Sequence, residues 1–373
     1  MAMDTTALQA LNSQILWASF ALSALFGVIA QRTHFCTMGA VSDIMTMGDW
    51  TRMRMWGLAA GVALIGFAGL AATGLIDPTK TLYVANRFIW LSALVGGLMF
   101  GFGMVLASGC GSKTLVRVGA GNLKSLVVFI VMGLAAFATL KGITAVLRVN
   151  TVDSIGIDFS VPATLGQWLA NATGLPPAST ALALGLALGL GFAAWALVGR
   201  DFLRFDNILA GLGVGAIITS LWWVSGSFGF VPEHPETLEA VFLATNSGRA
   251  EAMSFVSPVA YTLDWLMFFS DKSKVLTLGI VSVVGVVAGS AVYALATRTF
   301  RWEGFGGTED TANHLVGATL MGVGGVAAMG CTIGQGLSGI STLSATSFVA
   351  LAAILLGAVA GLKYQIWRLE RTL

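Results

Sequence analysis

Hydrophobic positions run in long unbroken stretches, cut by short polar breaks. Nine such stretches occur, at Gln14–Ala30, Met55–Ile76, Phe88–Gly109, Ser125–Leu140, Ala178–Gly199, Asn207–Val224, Val275–Thr297, Leu315–Gly330 and Leu343–Leu362. A helix needs about 20 apolar residues to cross the hydrocarbon of a bilayer. The pattern therefore predicts an all-α integral membrane protein of about nine transmembrane helices. The first thirteen residues contain no Lys or Arg, so the opening stretch lacks the basic start of a cleaved signal peptide and reads as an uncut first span. Two longer polar segments, Asn150–Pro177 and Pro232–Lys274, are expected on one face of the membrane with short interfacial helices in them.

The chain repeats itself. Setting Cys110 on Cys331 brings LVGGLMFGFGMVLASGC (Leu94–Cys110) onto LVGATLMGVGGVAAMGC (Leu315–Cys331), with nine of seventeen positions identical and no gap. Four of the identities are glycine, and the match ends in Gly-Cys. Extended, the pattern reads as one transporter domain over residues 1–373: repeat 1 at about 14–148, a linker helix at about 178–199, and repeat 2 at about 207–367. An odd linker makes the second half enter from the opposite side, so the repeats are expected to be inverted, an arrangement that places a substrate at the shared midplane.

Composition narrows the possibilities. Only 10% of residues are charged and 56% are hydrophobic, against about a quarter charged in soluble domains. That excludes a soluble enzyme or a disordered scaffold, and a net charge of +2 gives no electrostatic case for nucleic acid. Of the 20 Lys and Arg residues, thirteen fall in loops on the C-terminal side and seven on the other. This predicts a cytoplasmic C-terminus and an outward N-terminus.

Three cysteines make an odd set, which argues against a disulfide framework. Each lies where an apolar run gives way to small polar residues: HFCTMGAVSD, SGCGSKTLVR and GCTIGQGLSG. A glycine inside a helix costs about 1 kcal/mol relative to alanine, so broken or re-entrant helices are expected there, with Thr37, Ser112, Thr114 and Thr332 as candidate caps. Irregular backbone at that depth survives only when buried in protein or lining a wet cavity. Helix N-termini offer free N–H groups to an anion. Sulfur is soft and the S–H group a weak donor, so a row of neutral thiols would hold a soft sulfur anion without gripping it. The candidate binding and relay residues are Cys36, Cys110 and Cys331, with Gly109, Gly111, Gly330, Thr37, Ser112, Lys113, Thr332 and Gln335 around them. Lys113 reads equally as a snorkelling lysine, Gln335 as a polar cap, and Gly101 and Gly322 as packing glycines. His34 reads as an interfacial histidine, and Asp43 and Asp49 as solvated loop carboxylates. No catalytic residue, metal ligand set or cofactor site is read: there is no CxxC, and the histidines are scattered.

The segments HFCTMG, ASGCGSKT and MGCTIGQG resemble those of the YeeE/YedE family of bacterial inner-membrane proteins, whose characterised members take up thiosulfate. The resemblance spans nearly the whole chain. It implies a monomeric, hourglass-like transporter in which thiosulfate passes three thiols by S–H···S contacts, here Cys36, Cys110 and Cys331. It also implies a possible small cytoplasmic sulfur-carrier partner of the TusA type, and selenium-linked relatives leave the substrate open. The expected function is inward passage of thiosulfate or a similar sulfur oxyanion, without catalysis. The alternatives are a membrane sulfurtransferase working through a cysteine persulfide, and a selenium or soft-metal permease.

Overall fold

The computed structural model describes residues 5–235 and 237–372, and it is almost wholly helical. The first half runs α1 (Thr5–Thr33), α2 (Thr37–Met47), α3 (Thr51–Ala72), α4 (Trp90–Leu106), α5 (Gly111–Gly119) and α6 (Leu123–Lys141). The short helices α7 (Ile143–Asn150) and α8 (Leu165–Thr173) lead into α9 (Pro177–Leu197), the expected linker. The second half runs α10 (Phe205–Trp223), α11 (Val256–Met267), α12 (Leu278–Ala296), α13 (Thr308–Ala327) and α14 (Ala345–Thr372). Between α13 and α14 the chain winds through a short helix over 332–341, π-helical at Gly334–Gly339. Among the described residues the named strands form two antiparallel two-residue pairs, Arg87–Phe88 with Ile157–Asp158 and Phe230–Val231 with Val241–Phe242.

Among the described residues, eight helical units are long and apolar enough to cross a membrane. The ninth expected stretch is helical too, but α13 carries Glu309, Asp310 and His314 in its first two turns, which lowers its mean hydropathy. It has no need of an apolar exterior along its length, because it packs between α4 and α6. The expected interfacial helices are α8 and α11, and α11 is a correction: it buries Val256, Val259 and Ala260 and wedges among α6, α12 and α13 rather than lying on the surface.

Contacts come in matched sets. Helix α1 packs on α12 and α10 on α3; α4 packs on α14 and α13 on α6; α2 touches α14 and α11 touches α6. Glycines allow the close approaches. A Cβ on Gly101 would stand 2.0 Å from the Ile354 carbonyl oxygen of α14, and one on Gly322 would stand 2.5 Å from the Met132 carbonyl oxygen of α6. The two repeat-related glycines thus serve backbone packing. Loops on one face are stitched by Leu82 N–H to the Ala250 carbonyl (3.0 Å) and Leu165 N–H to the Leu343 carbonyl (2.9 Å); those on the other by Leu123 N–H to the Glu303 carbonyl (2.9 Å). Around the outside, α9 presents Leu186, Leu190 and Trp195, the apolar exterior a bilayer requires.

Candidate functional site

The two repeat-related cysteines follow one local design. Helix α4 ends with Ser108 N–H donating to the Val105 carbonyl (3.1 Å) and Gly109 N–H to the Met104 carbonyl (2.8 Å). Helix α13 ends with Met329 N–H to the Val326 carbonyl (3.0 Å) and Gly330 N–H to the Gly325 carbonyl (2.8 Å). This is the paired closure of a Schellman motif. Its left-handed residue is Ser108 (φ 56°) in one case and Met329 (φ 56°) in the other, and His34 adopts the same region (φ 55°) before Cys36. A non-glycine residue there costs about 1–2 kcal/mol. Two residues beyond each turn comes a cysteine.

Those cysteines begin the next helices. Cys36 is the N-cap of α2, its sulfur accepting from Gly39 N–H at 3.5 Å; Cys110 is the N-cap of α5; and the Cys331 sulfur accepts from Gly334 N–H at 3.4 Å. The expected Ser/Thr caps are therefore corrected. Thr37 and Thr332 stand one place inside the helices, Thr114 bonds back to the Cys110 carbonyl (3.1 Å), and the Ser112 hydroxyl lies 3.3 Å from the Cys110 sulfur. The Cys36 and Cys331 sulfurs accept a backbone N–H there, whereas Cys110 holds the cap position without a side-chain cap bond.

The fold gathers the three buried cysteines into one part of the interior. Cys36 and Cys110 are within thiol–thiol hydrogen-bonding reach. The Thr332 side chain, next to Cys331, lies near the Cys110 sulfur. All three thiols are free and belong to one core cluster. Lys113 is half-buried with its ammonium directed to the Cys36–Cys110 end. Gly109 and Gly330 pack against the side chains of Lys113 and Gln335, while Gly111 opens α5 with only ordinary contact to Phe255. Gln335 spends its amide N–H on the Ala328 carbonyl at the end of α13, which leaves its Oε1 without a partner.

Further polar atoms are buried nearby with no hydrogen bond: the Thr37 and Thr332 hydroxyls and the Trp56 indole N–H. Each such group costs about 1–3 kcal/mol unless something satisfies it. Trp56 stacks on Phe35, the neighbour of Cys36, with centroids 5.3 Å apart. At the other end, Tyr83 is directed to Ser254 and Cys331. Sequence reasoning missed Trp56 and Tyr83, because an aromatic inside or beside an apolar run carries no mark of its polar edge. Asp43 is also corrected: it lies buried on α2, not in a solvated loop, and pairs with Arg52 at 2.9 Å. Asp49 is exposed and caps α3 through Thr51 N–H at 2.9 Å.

Buried thiols at helix N-termini, with unpartnered donors and an ammonium nearby, suit a soft anion. Among the described residues no group of three or more His, Cys, Asp or Glu side chains is placed to hold a metal. The chain is similar to the thiosulfate transporter TsuA of Escherichia coli K12, 26% identical over 343 residues and 90% of each chain. It is also similar to the thiosulfate transporter TsuA of Spirochaeta thermophila, 25% identical over 92% of this chain and 97% of that one. The probable transporter YedE of Escherichia coli K12 matches at 31% over 31% of the chain. The profile of the family described as sulphur transport matches residues 32–360, and the chain belongs to that family.

Proposed function

We propose that the protein carries thiosulfate, or a closely similar sulfur oxyanion, inward across the bacterial inner membrane by passing it along Cys331, Cys110 and Cys36. The observation that carries this reading is that three helix starts each hold a buried cysteine and that the three share one core cluster. The terminal sulfur of the anion accepts a weak S–H hydrogen bond at each stage, while Thr332, Thr37 and Trp56 offer donors to its oxygens. Lys113 draws the anion toward the inner end. Binding stays shallow because thiols are weak donors, and a path of shallow sites lets an ion leave as readily as it enters.

The matched helix contacts support two inverted repeats, at about 14–148 and 207–367, joined by the linker α9. In this reading the N-terminus faces outward, the C-terminus faces the cytoplasm, and the monomer is the working unit. A TusA-like carrier protein would receive the sulfur compound at the cytoplasmic face. Single Cys→Ala changes at positions 36, 110 and 331 should each reduce thiosulfate uptake in proteoliposomes by at least about tenfold, the loss expected when a 1.4 kcal/mol contribution to the barrier disappears. Full uptake in all three variants would falsify the relay. Intact-mass measurement after transport should find the thiols unmodified; a persulfide on any of them would favour a sulfurtransferase instead.

A further inference from the structure

Beyond the thiols lies a cavity of about 220 Å³, lined among others by Arg148, Asn246, Glu251, Ser254, Tyr261 and Met329. Its floor belongs to the Cys331 turn, because Met329 is the left-handed residue two places before that cysteine. Ser254 continues the contact inward: a Cβ placed on Gly334 would lie 2.6 Å from its hydroxyl oxygen. The cavity is thus the space immediately next to one end of the proposed path.

Arg148, on α7, is the cation that lines it. One guanidinium nitrogen pairs with Asp153 at 3.4 Å, whereas its Nε–H is buried and has no partner. A buried guanidinium N–H without an acceptor is costly, and a charge-assisted bond to an oxyanion would satisfy it. We propose that this cavity is an entry site for a tetrahedral sulfur oxyanion, with Arg148 holding its oxygens and its sulfur end turned toward Met329 and Cys331. The proposal rests on the thiosulfate reading above and assigns the outer recognition step to α7 rather than to helix N-termini.

Asp153 keeps the cation from binding too tightly. The carboxylate tempers the guanidinium and fixes its direction, itself held by the Ser92 hydroxyl at 2.6 Å. Glu251 would repel an anion if charged. It is buried, and burial pushes its carboxyl up from the ordinary value, against hydrogen bonds from Ser247 and Asn246. The groups facing it are Tyr83 and Tyr261, together with Arg148 across the cavity. Arg249, next but one in sequence, directs its guanidinium to the Thr81 and Val84 carbonyls instead.

The test combines binding and transport on the full chain. Calorimetric titration of the purified protein with thiosulfate should give binding that survives Cys331→Ala and weakens by about tenfold or more in Arg148→Gln, the loss of one charge-assisted hydrogen bond. Arg148→Lys should recover part of that affinity. Asp153→Asn, which breaks the same ion pair but keeps the cation, should bind at least as tightly as the unaltered protein. In proteoliposomes Arg148→Gln should raise the half-saturating thiosulfate concentration by the same factor. Equal affinity in the unaltered protein and Arg148→Gln, absence of binding at millimolar thiosulfate, or equal losses in Arg148→Gln and Asp153→Asn would each overturn the proposal. Failure of the relay shows separately, as uptake that persists in the cysteine variants while the titrations are unaffected.

Discussion

A side chain at a helix start meets backbone N–H groups that have no partner in their own helix, and here cysteine takes a place usually given to serine, threonine or aspartate. The gain in capping is small, since sulfur accepts weakly, at 3.4–3.5 Å in Cys36 and Cys331. The retained softness is the functional gain. Trp222 and Ser341, also buried, do have partners. The Trp222 indole N–H donates to the Ser341 hydroxyl at 3.0 Å, and Ser341 in turn donates to the Ser338 carbonyl at 2.7 Å. Ser341→Ala should leave Trp222 with a buried, unpaired N–H and lower stability by about 1–3 kcal/mol, read as a fall in the thermal midpoint in detergent. An unchanged midpoint would mean that the Trp222 N–H is satisfied in another way.

At the level of elements, the close helix pairs depend on glycine as strictly as the thiol turns depend on left-handed backbone. Gly101 and Gly322 correspond in the repeat, and each faces a carbonyl oxygen of a different helix, Ile354 on α14 and Met132 on α6. Rigid backbone, unlike a flexible side chain, cannot give way to an added methyl group. Gly101→Ala and Gly322→Ala should therefore each cost about 1–3 kcal/mol through overpacking, with uptake falling because α4 and α13 carry Cys110 and Cys331 at their ends. Parallel thermal melts of the two variants check this; a loss confined to one of them would show that the matched packing is not energetically matched.

For the whole molecule, Glu251 links stability to pH. The backbone N–H of Ser247 holds its carboxyl oxygen at 2.7 Å, yet burial dominates and raises its pKa above the ordinary 4.5. A carboxyl whose folded pKa is raised contributes stability that is complete below its unfolded value and is lost as pH rises through the folded value. The thermal midpoint should therefore fall as pH is raised from about 4.5, and Glu251→Gln should flatten that part of the profile. A profile identical to that of the unaltered protein would remove Glu251 from the balance.

The sequence by itself determined the solvent, the number of candidate membrane spans among the described residues to within one, and the points where the chain breaks, because each depends on local composition: apolar length, glycine placement and a cysteine at each interruption. It also showed the repeat, since Gly-Cys recurs after the same glycine spacing. Only the tertiary structure decided that three thiols 74 and 221 residues apart in sequence share one buried cluster, that cysteines stand at the helix starts, and that α11 is a buried wedge. Tyr83, Trp56 and Arg148 were equally illegible. Their roles come from which polar atom lacks a partner after packing, and partnership is a property of elements brought together from across the chain, which no local pattern encodes.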